Sequence, residues 1–451
     1  MADRIETDVC VVGAGFAGLT AARRLRAGGK DVVVLEARDR IGGRIWTQTL
    51  PDGTPVDRGG AWLGPAHDRA FALAREVGAT TYKTYVKGKH LLVDGDRMRR
   101  YTGLIPKISP LAVLTIAWNQ YRVDRMSKSL PIDAPWDAPR AAEWDRQTVG
   151  DWIEHTGIRS QIGRDLFEMA VRGLFTGDLH EVSLLHLYLL VRGHGSLNTL
   201  FSIDKGAQEN MVDGGLGSIA ARVASELGDA VRLRAPVRAI AYDDDRVIVT
   251  SDDLVVHARR AVVTMPPELL LNVVFEPALP DERLVLYRNA QAGPESKTLV
   301  VYDEPFWRAD GFSGQTAHPH SPCEVTIDAS PSIGTPGVIA SFTFGPVAEQ
   351  YDALDATERR RLVLEALTAR LGPRAAKPVE IVETPWWHEE WTRGCSFAHL
   401  RPGTLTRSGH LLREPMGRVH WAGTETSIVS HGAVDGAIRS GERAAAEVLD
   451  A

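Results

Sequence analysis

The chain has few cysteines, no long apolar run and no excess of positive charge. Its 451 residues include three cysteines, Cys10, Cys323 and Cys395, too few and too scattered for a disulfide framework or a zinc site. A net charge of −6 gives no electrostatic basis for binding nucleic acid. No apolar run reaches the roughly 20 residues that a membrane-spanning helix requires. These absences argue against a disulfide-rich domain, a metal protein, a nucleic-acid-binding protein and an integral membrane protein.

The composition that remains is that of a globular protein. A chain with 44% hydrophobic and 24% charged residues is expected to form two or three domains at this length. The first residues, MADRIETD, are polar and do not resemble a signal peptide, so we expect a cytoplasmic protein without a membrane anchor. The apolar stretch at 104–118 is interrupted by Lys107 and two prolines. We interpret it as buried packing or an entrance loop rather than as membrane contact.

The most informative pattern near the start of the chain is a glycine motif. Gly13, Gly15 and Gly18 follow a short apolar run at 8–12 and precede a segment with helical apolar spacing. A second apolar run ends on Glu36. Its separation from the glycine motif is close to the roughly 20 residues that separate the glycines from the acidic residue in dinucleotide-binding βαβ units. There Gly13 makes the turn, Gly15 lets the backbone approach a pyrophosphate, and Gly18 lets helix pack on strand. Glu36 would accept hydrogen bonds from a ribose 2′-hydroxyl.

The segment EARDRIGGR, which starts at Glu36, indicates which dinucleotide binds. It places Arg38, Arg40 and Arg44 around a second glycine turn at 42–43, where guanidinium groups can balance a pyrophosphate. Here the chain resembles the FAD-containing amine oxidase superfamily, in which this segment follows the glycine fingerprint. The resemblance implies FAD rather than NAD.

Two further segments carry the same resemblance, DRGGAWLGP at 57–65 and GTETSIVSHGAVDGAIRSGERAAAEVL at 423–449. We expect the second to be a strand ending at 423–425, a glycine turn and a helix. The resemblance is strongest to monoamine oxidases and covers almost the whole chain. It implies cofactor contacts at Gly13, Gly15, Phe16, Ala17, Gly18, Glu36, Ala37, Arg38, Gly42, Gly43, Arg44, Gly59, Gly60, Ala61, Trp62, Val237, Trp386, Cys395, Gly423, Thr424, Glu425 and Ala433.

The alternation of sequence character, with the resemblance, predicts the architecture. The fold class is α/β, with a Rossmann-like FAD-binding domain and a discontinuous α+β substrate domain. Residues 1–90, 208–290 and 391–451 are assigned to the FAD-binding domain. Residues 91–207 and 291–390 are assigned to the substrate-binding domain.

Two residues match family positions with chemical roles. Lys297 matches a lysine that holds a water against flavin N5, where an ammonium stabilises negative charge on the reduced flavin or on superoxide. Cys395 matches the cysteine that forms a thioether to the flavin 8α-methyl in mitochondrial monoamine oxidases. Relatives with another residue there bind FAD without a bond, so both forms of attachment stay open.

The chain departs from monoamine oxidases at two positions that face the substrate. Two tyrosines that stand before the flavin in that family are replaced by Ser396 and Ala433, so the aromatic cage is missing and a typical arylalkylamine substrate is in doubt. Partial walls from Phe397, Trp387 or His431 are candidate replacements. The other predicted substrate contacts are Phe201 and Gln208.

The resemblance implies an oxidase that converts an amine to an imine, which water hydrolyses to an aldehyde or ketone, while O₂ reoxidises FAD and yields H₂O₂. A small amine and O₂ are the expected partners, and no metal is expected. A homodimer is one candidate assembly, since dimers are common among relatives, but the sequence alone does not define the oligomeric state. An L-amino-acid oxidase using Arg172 or Arg401 for the carboxylate, and a carbon–carbon desaturase, remain alternatives. A non-enzymatic flavoprotein is the third.

Overall fold

The computed structural model describes residues 3–104, 106 and 108–451, so Ile105 and Lys107 of the apolar stretch at 104–118 lie outside the described residues. Two large sheets, each flanked by helices, form the framework. The strands are β1 (Asp3–Val12), β2 (Val32–Leu35), β3 (Thr47–Thr49), β4 (Pro55–Asp57), β5 (Thr81–Lys83), β6 (Lys89–Asp94), β7 (Arg97–Tyr101), β8 (Asn210–Val212), β9 (Val231–Arg232), β10 (Val237–Tyr242), β11 (Val247–Ser251), β12 (Leu254–Val263), β13 (Val274–Glu276), β14 (Ala290–Gly293), β15 (Glu295–Tyr302), β16 (Phe312–Ala317), β17 (Val325–Asp328), β18 (Gly337–Phe344), β19 (Glu380–Pro385), β20 (Cys395–Leu400) and β21 (Val419–Trp421).

The helices cover the sheets and carry most of the middle of the chain. They are α1 (Phe16–Ala27), α2 (Asp68–Glu76), α3 (Pro110–Lys128), α4 (Ala141–Asp145), α5 (Val149–Glu154), α6 (Gln161–Phe175), α7 (Leu184–His194), α8 (Leu197–Phe201), α9 (Gly217–Leu227), α10 (Asp281–Arg288), α11 (Phe306–Ala309), α12 (Gly345–Asp352), α13 (Ala356–Leu371), α14 (Thr404–Ser408) and α15 (Val434–Leu449). Within the described part of the chain, no helix combines the length and apolarity needed to cross a bilayer.

The first large sheet has eight strands and contains the glycine motif. Its order is β13-β10-β11-β12-β1-β2-β9, and β21 also pairs with β12. The central strand β1 is parallel to both β12 and β2. All four residues of β2 are buried, as expected for a parallel strand covered on both faces. This sheet joins three distant parts of the chain around a Rossmann-like βαβ unit, and the predicted α/β fold class is confirmed.

The second sheet has seven strands in the order β19-β15-β18-β17-β16-β6-β7. Strands β15 and β18 form its centre, are antiparallel and are buried at every residue. Residues of this sheet come from 89–101 and from 295–385. That distribution is compatible with the predicted substrate domain, whose exact boundaries remain a prediction.

Several local predictions match the structure and one differs. Leu19, Ala22 and Leu25 lie on the buried face of α1, as their spacing predicts. The strand predicted to end at 423–425 ends earlier, at Trp421, because β21 pairs with β12 only over residues 419–421. The next residues turn sharply, with Gly423 at φ 127°, a conformation that glycine tolerates.

The apolar stretch at 104–118 is only partly buried. Ile116 on α3 is packed inside, but Leu111, Leu114 and Trp118 are 64%, 68% and 58% exposed. The ring of Trp118 stacks on Tyr121 one turn further along the same face. Buried packing therefore explains one side of this helix and not the other.

Helix α1 packs closely because two glycines remove side chains at its contacts. A Cβ at Gly18 would lie 1.9 Å from the carbonyl oxygen of Gly13, and one at Gly441 on α15 would lie 2.3 Å from that of Ala17. This crowding is compatible with the role predicted for Gly18, packing of the helix on the strand, since Gly13 directly follows β1. By contrast, nothing lies within 4 Å of a Cβ built at Gly15.

We expect Gly18→Ala to destabilise the protein by about 1–3 kcal/mol, the usual cost of overpacking, because backbone must move to admit the methyl group. Gly15→Ala is the matched control and should shift the unfolding midpoint far less. Far-UV circular dichroism during heating of the FAD-free proteins measures both, so that an effect of Gly15→Ala on FAD binding does not enter the comparison. Equal midpoints for Gly18→Ala and wild type would contradict the packing role.

Candidate active site

A cavity of about 560 Å³ lies against the glycine motif and extends to the second sheet. Its wall includes the turn after β1 at one end and β18 at the other. Of the residues predicted to contact cofactor or substrate, the cavity is lined by Gly13, Gly15, Phe16, Ala17, Glu36, Ala37, Arg38, Gly42, Gly43, Arg44, Gly59, Gly60, Ala61, Trp62, Phe201, Gln208, Val237, Cys395, Ser396, Gly423, Thr424 and Ala433.

The nucleotide end of the cavity has the features that a pyrophosphate requires. Helix α1 begins there, with Gly15 as a cap residue that makes no side-chain hydrogen bond and with no acidic residue in the first turn. The N–H groups of that turn can therefore serve an anion, which the helix dipole also favours. The bare backbone at Gly15 leaves space for close approach. These residues fit a dinucleotide such as FAD.

Glu36 lies at the end of β2 and is buried, with 4% of its surface exposed. Its carboxylate accepts hydrogen bonds from the backbone N–H groups of Ala14, at 2.8 Å, and of Arg38, at 3.0 Å. These bonds fix the carboxylate in the wall of the cavity. A carboxylate oxygen has further acceptor capacity, so Glu36 fits the predicted contact with a ribose hydroxyl.

Arg44 and Glu425 form a buried ion pair that joins the two ends of the chain. The guanidinium donates to both carboxylate oxygens, at 2.6 and 3.1 Å, and to the carbonyl oxygen of Ser396 at 2.9 Å. Burial disfavours the charged carboxylate, but the attraction of Arg44 outweighs this and holds the pKa of Glu425 below its usual range. Arg44 lines the cavity while Glu425 stands behind it. A guanidinium has five N–H donors, so the contact of Arg44 with a pyrophosphate stays a prediction.

Trp386 and Gly18 do not line the cavity. Trp386 is fully buried, its indole N–H donates to the carbonyl oxygen of Arg58 at 3.1 Å, and its ring meets Trp46 edge-on. It supports Gly59, since a Cβ there would lie 2.9 Å from its ring. The predicted cofactor contact at Trp386 therefore becomes an indirect one through Gly59.

Lys297 is buried in β15, with 1% of its surface exposed. Its Nζ donates to the carbonyl oxygen of Gly59 at 2.7 Å and lies 4.9 Å from the Trp62 ring and 5.4 Å from the Phe342 ring. Both rings line the large cavity, whereas Lys297 lines a smaller one of about 30 Å³ that shares Ala61 with it. Burial lowers the pKa of Lys297 to about 8.

The far part of the cavity is mostly apolar and lacks a tyrosine pair. Ser396 and Ala433 line it as small side chains, and the stacked rings of Phe342 and Phe344 form a wall. Within the described residues, neither Phe397, Trp387 nor His431 is part of that lining, so none of them rebuilds the cage. Phe397 and His431 instead pack against each other in the interior.

A carboxylate in the cavity wall, Glu295, was missed from the sequence. Glu295 is 7% exposed, lines the large cavity and stands two residues before Lys297 in β15. Burial raises the pKa of Glu295 to about 7, although the charge of Lys297 opposes the shift. The sequence offered one signal for it. Glu295 stands two residues before the predicted Lys297, and residues two apart in a strand lie on the same face.

The two arginines considered for a substrate carboxylate have other partners. Arg172 is 5% exposed and is paired with Glu168 and with the fully buried Glu324. Arg401 is paired with Glu181. Neither belongs to the cavity lining of the described chain, which removes the basis for an amino-acid substrate.

The fold and this cavity define a dinucleotide-binding oxidoreductase. Residues 16–449 match the family model described as flavin containing amine oxidoreductase. A Mycobacterium tuberculosis protein named as the flavin-containing monoamine oxidase AofH is 40% identical over 98% of this chain and 96% of its own. Flavin-containing amine oxidase A of Canis lupus familiaris is 34% identical over 98% of this chain and 85% of its own.

Solved structures agree. Putrescine oxidase bound to putrescine superposes with a TM-score of 0.95 at 31% identity, with full coverage of both chains, 100% each. Cyclohexylamine oxidase from Brevibacterium oxydans gives a TM-score of 0.94 at 32% identity, over 98% of this chain and 99% of its own. The chain belongs to the flavin-containing amine oxidoreductase family. It is an FAD-dependent enzyme that oxidises amines, with O₂ as electron acceptor.

Because Glu425 is buried and only 20% of the Arg44 side chain is exposed, removing the charge of Glu425 should be costly. We expect Glu425→Gln to destabilise the protein by up to about 3–5 kcal/mol, the usual effect of breaking a buried pair. Glu143→Gln, which removes the carboxylate of an exposed pair with Arg140, should cost far less. Thermal unfolding of the flavin-loaded proteins compares them, and equal losses would contradict the assigned importance of the Arg44 pair.

Proposed function

We propose that the enzyme oxidises a bulky, largely apolar amine with one basic nitrogen. The observation that carries this proposal is the lining of the cavity beyond Ser396 and Ala433. Apolar and aromatic side chains dominate there, among them Phe342, Phe344 and Leu174. The two small residues leave room where the family resemblance places tyrosines.

The arrangement of charge supports a monoamine over a diamine. Among the described residues that line the cavity, the carboxylates are Glu36, at the nucleotide end, and Glu295. A second ammonium group in a linear diamine would have only Glu295 as an anionic partner, and Glu295 already interacts with the Cys395 thiol. An alicyclic or aryl amine matches the remaining apolar wall.

The apolar wall has a chemical role as well as a steric one. Low polarity disfavours a charged ammonium, so the bound amine is held in its neutral form with the lone pair available. The wall also orients the carbon beside the nitrogen and excludes bulk water. FAD, when bound, accepts the hydride equivalent from that carbon and passes its electrons to O₂.

A panel of amines tests the substrate class. We expect H₂O₂ release with cyclohexylamine-like and bulky aryl monoamines, and kcat/KM at least about tenfold lower with putrescine and other diamines, since the second charge must lose its hydration in an apolar wall. L-amino acids should give no release. Equal or higher kcat/KM with diamines would overturn the proposed substrate class while leaving the oxidase activity intact.

We also propose that Lys297 promotes the reaction of the reduced cofactor with O₂. Its ammonium lies between Gly59 and the ring of Trp62, and the adjoining cavity of about 30 Å³ is large enough for a water molecule. A buried positive charge stabilises the negative charge that forms as O₂ accepts an electron.

Replacing the lysine should separate the two half-reactions. Lys297→Met is expected to slow reoxidation by about 10²-fold while slowing anaerobic reduction by amine much less. In the wild type the reoxidation rate should fall as pH rises through about 8, where Lys297 loses its proton. Stopped-flow absorbance of the flavin measures both steps. Equal slowing of the two, or an unchanged pH profile in the variant, would contradict this role.

Three further features belong to the proposal. The residue Cys395 lies in the cavity wall, which supports the proposal that FAD is covalently attached there.

We also propose a cytoplasmic location. The three described cysteines are free, which is usual for a cytoplasmic protein. The homodimer and the two-domain division remain predictions from the sequence.

A further inference from the structure

Glu295 and Cys395 meet in the wall of the cofactor cavity. Cys395 opens β20 and pairs with Gly293 of β14, and Glu295 opens β15 two residues after that glycine. The carboxylate and the thiol lie close enough to shift each other's pKa, and each residue is 7% exposed. An acid and a thiol therefore share one largely buried section of the cavity wall.

A buried thiol in this position needs help to react. The thiolate is the nucleophile, but burial raises the pKa of Cys395 well above its usual range, and the negative charge of Glu295 adds to the shift. Arg44 and Lys297 oppose the shift from the other sides. These two cations face Glu425 and Asp57 in turn. The site thus has cations to support a developing thiolate and one carboxylate to take its proton.

We propose that Glu295 accepts the thiol proton of Cys395 as the sulfur forms a thioether with the 8α carbon of FAD. The inference rests on the proposed attachment at Cys395 and adds the residue that drives it. The carboxylate stands beside the reacting thiol in the same cavity wall, because Cys395 pairs with Gly293, two residues before Glu295. General bases positioned in this way typically accelerate a step by about 10²–10⁴-fold.

The step balances with reagents that the oxidase reaction already uses. A sulfur–carbon bond forms, the S–H bond and one C–H bond of the 8α-methyl break, and the two protons leave through Glu295 and solvent. The remaining electron pair reduces the isoalloxazine by two electrons. O₂, the electron acceptor of this enzyme, reoxidises it and is released as H₂O₂.

Loss of the carboxylate should delay attachment without preventing FAD binding. We expect wild-type protein to carry flavin that survives acid precipitation and adds the mass of FAD to the intact chain. Glu295→Gln should bind FAD to the same stoichiometry but link it at least about 10²-fold more slowly at pH 7. Raising the pH to about 9.5 should speed the variant more than the wild type, since hydroxide can replace the missing base. Glu295→Asp should recover part of the rate.

Two controls make the result specific. Cys395→Ala should bind FAD and release all of it into acid. Glu268→Gln removes another buried carboxylate, whose pKa is also raised to about 7 but which faces Arg44 and Glu425, and should link FAD at the wild-type rate. If Glu295→Gln links FAD slowly at every pH and Glu268→Gln links it equally slowly, the cause is general damage to the protein. That result would overturn the role assigned to Glu295.

The remaining outcomes separate the two proposals. Wild-type linkage with an unchanged rate in Glu295→Gln would overturn the role of Glu295 and leave attachment at Cys395 standing. Wild-type protein that oxidises amines but releases all of its flavin into acid would overturn both attachment and base, and would leave the amine oxidase activity untouched. Acid-stable flavin in Cys395→Ala would place the bond at another residue and overturn both.

Discussion

The buried pair between Arg44 and Glu425 is the contact on which the geometry of the site depends. It connects residues 381 positions apart, one from the second glycine turn and one from the C-terminal motif. The same guanidinium holds the carbonyl oxygen of Ser396, and the same carboxylate accepts from the N–H of Ala398 at 3.2 Å. One ion pair therefore sets the position of the strand that presents Cys395 relative to the nucleotide end of the cavity. Its charges are compensated by each other, so it orders the wall without adding net charge.

Positions at which the backbone conformation or packing restricts the residue type could be predicted individually from the sequence. Gly18 is at a position where the space around the backbone is decisive, and a motif in the sequence reports such positions directly. Glu36 follows from the same unit, because its place after β2 is fixed by the length of α1 and the following turn. For these residues local chemistry and fold give the same answer.

Features that depend on contacts between distant segments were harder to predict. The partner of Arg44, Glu425, lies far away in sequence, so the ion pair that holds this guanidinium in place could not be predicted. Trp386 was expected at the cofactor and instead supports Gly59 from behind. Glu295 was missed because its importance comes from a neighbour, Cys395, on another strand. In each case the sequence gives the residue type, but it does not show which residues from distant segments contact it.

The pairing of β21 with β12 and the packing of α15 on α1 also constrain the order in which the molecule can be made. The βαβ unit at 3–35 is made early, yet its helix α1 packs on α15, and its strand β1 pairs with β12, whose other parallel partner is β21. Closure of this unit therefore depends on contacts of very high sequence separation. The early unit must stay soluble during synthesis with one face uncovered, and the cavity wall is complete only after residues 423–437 have been made.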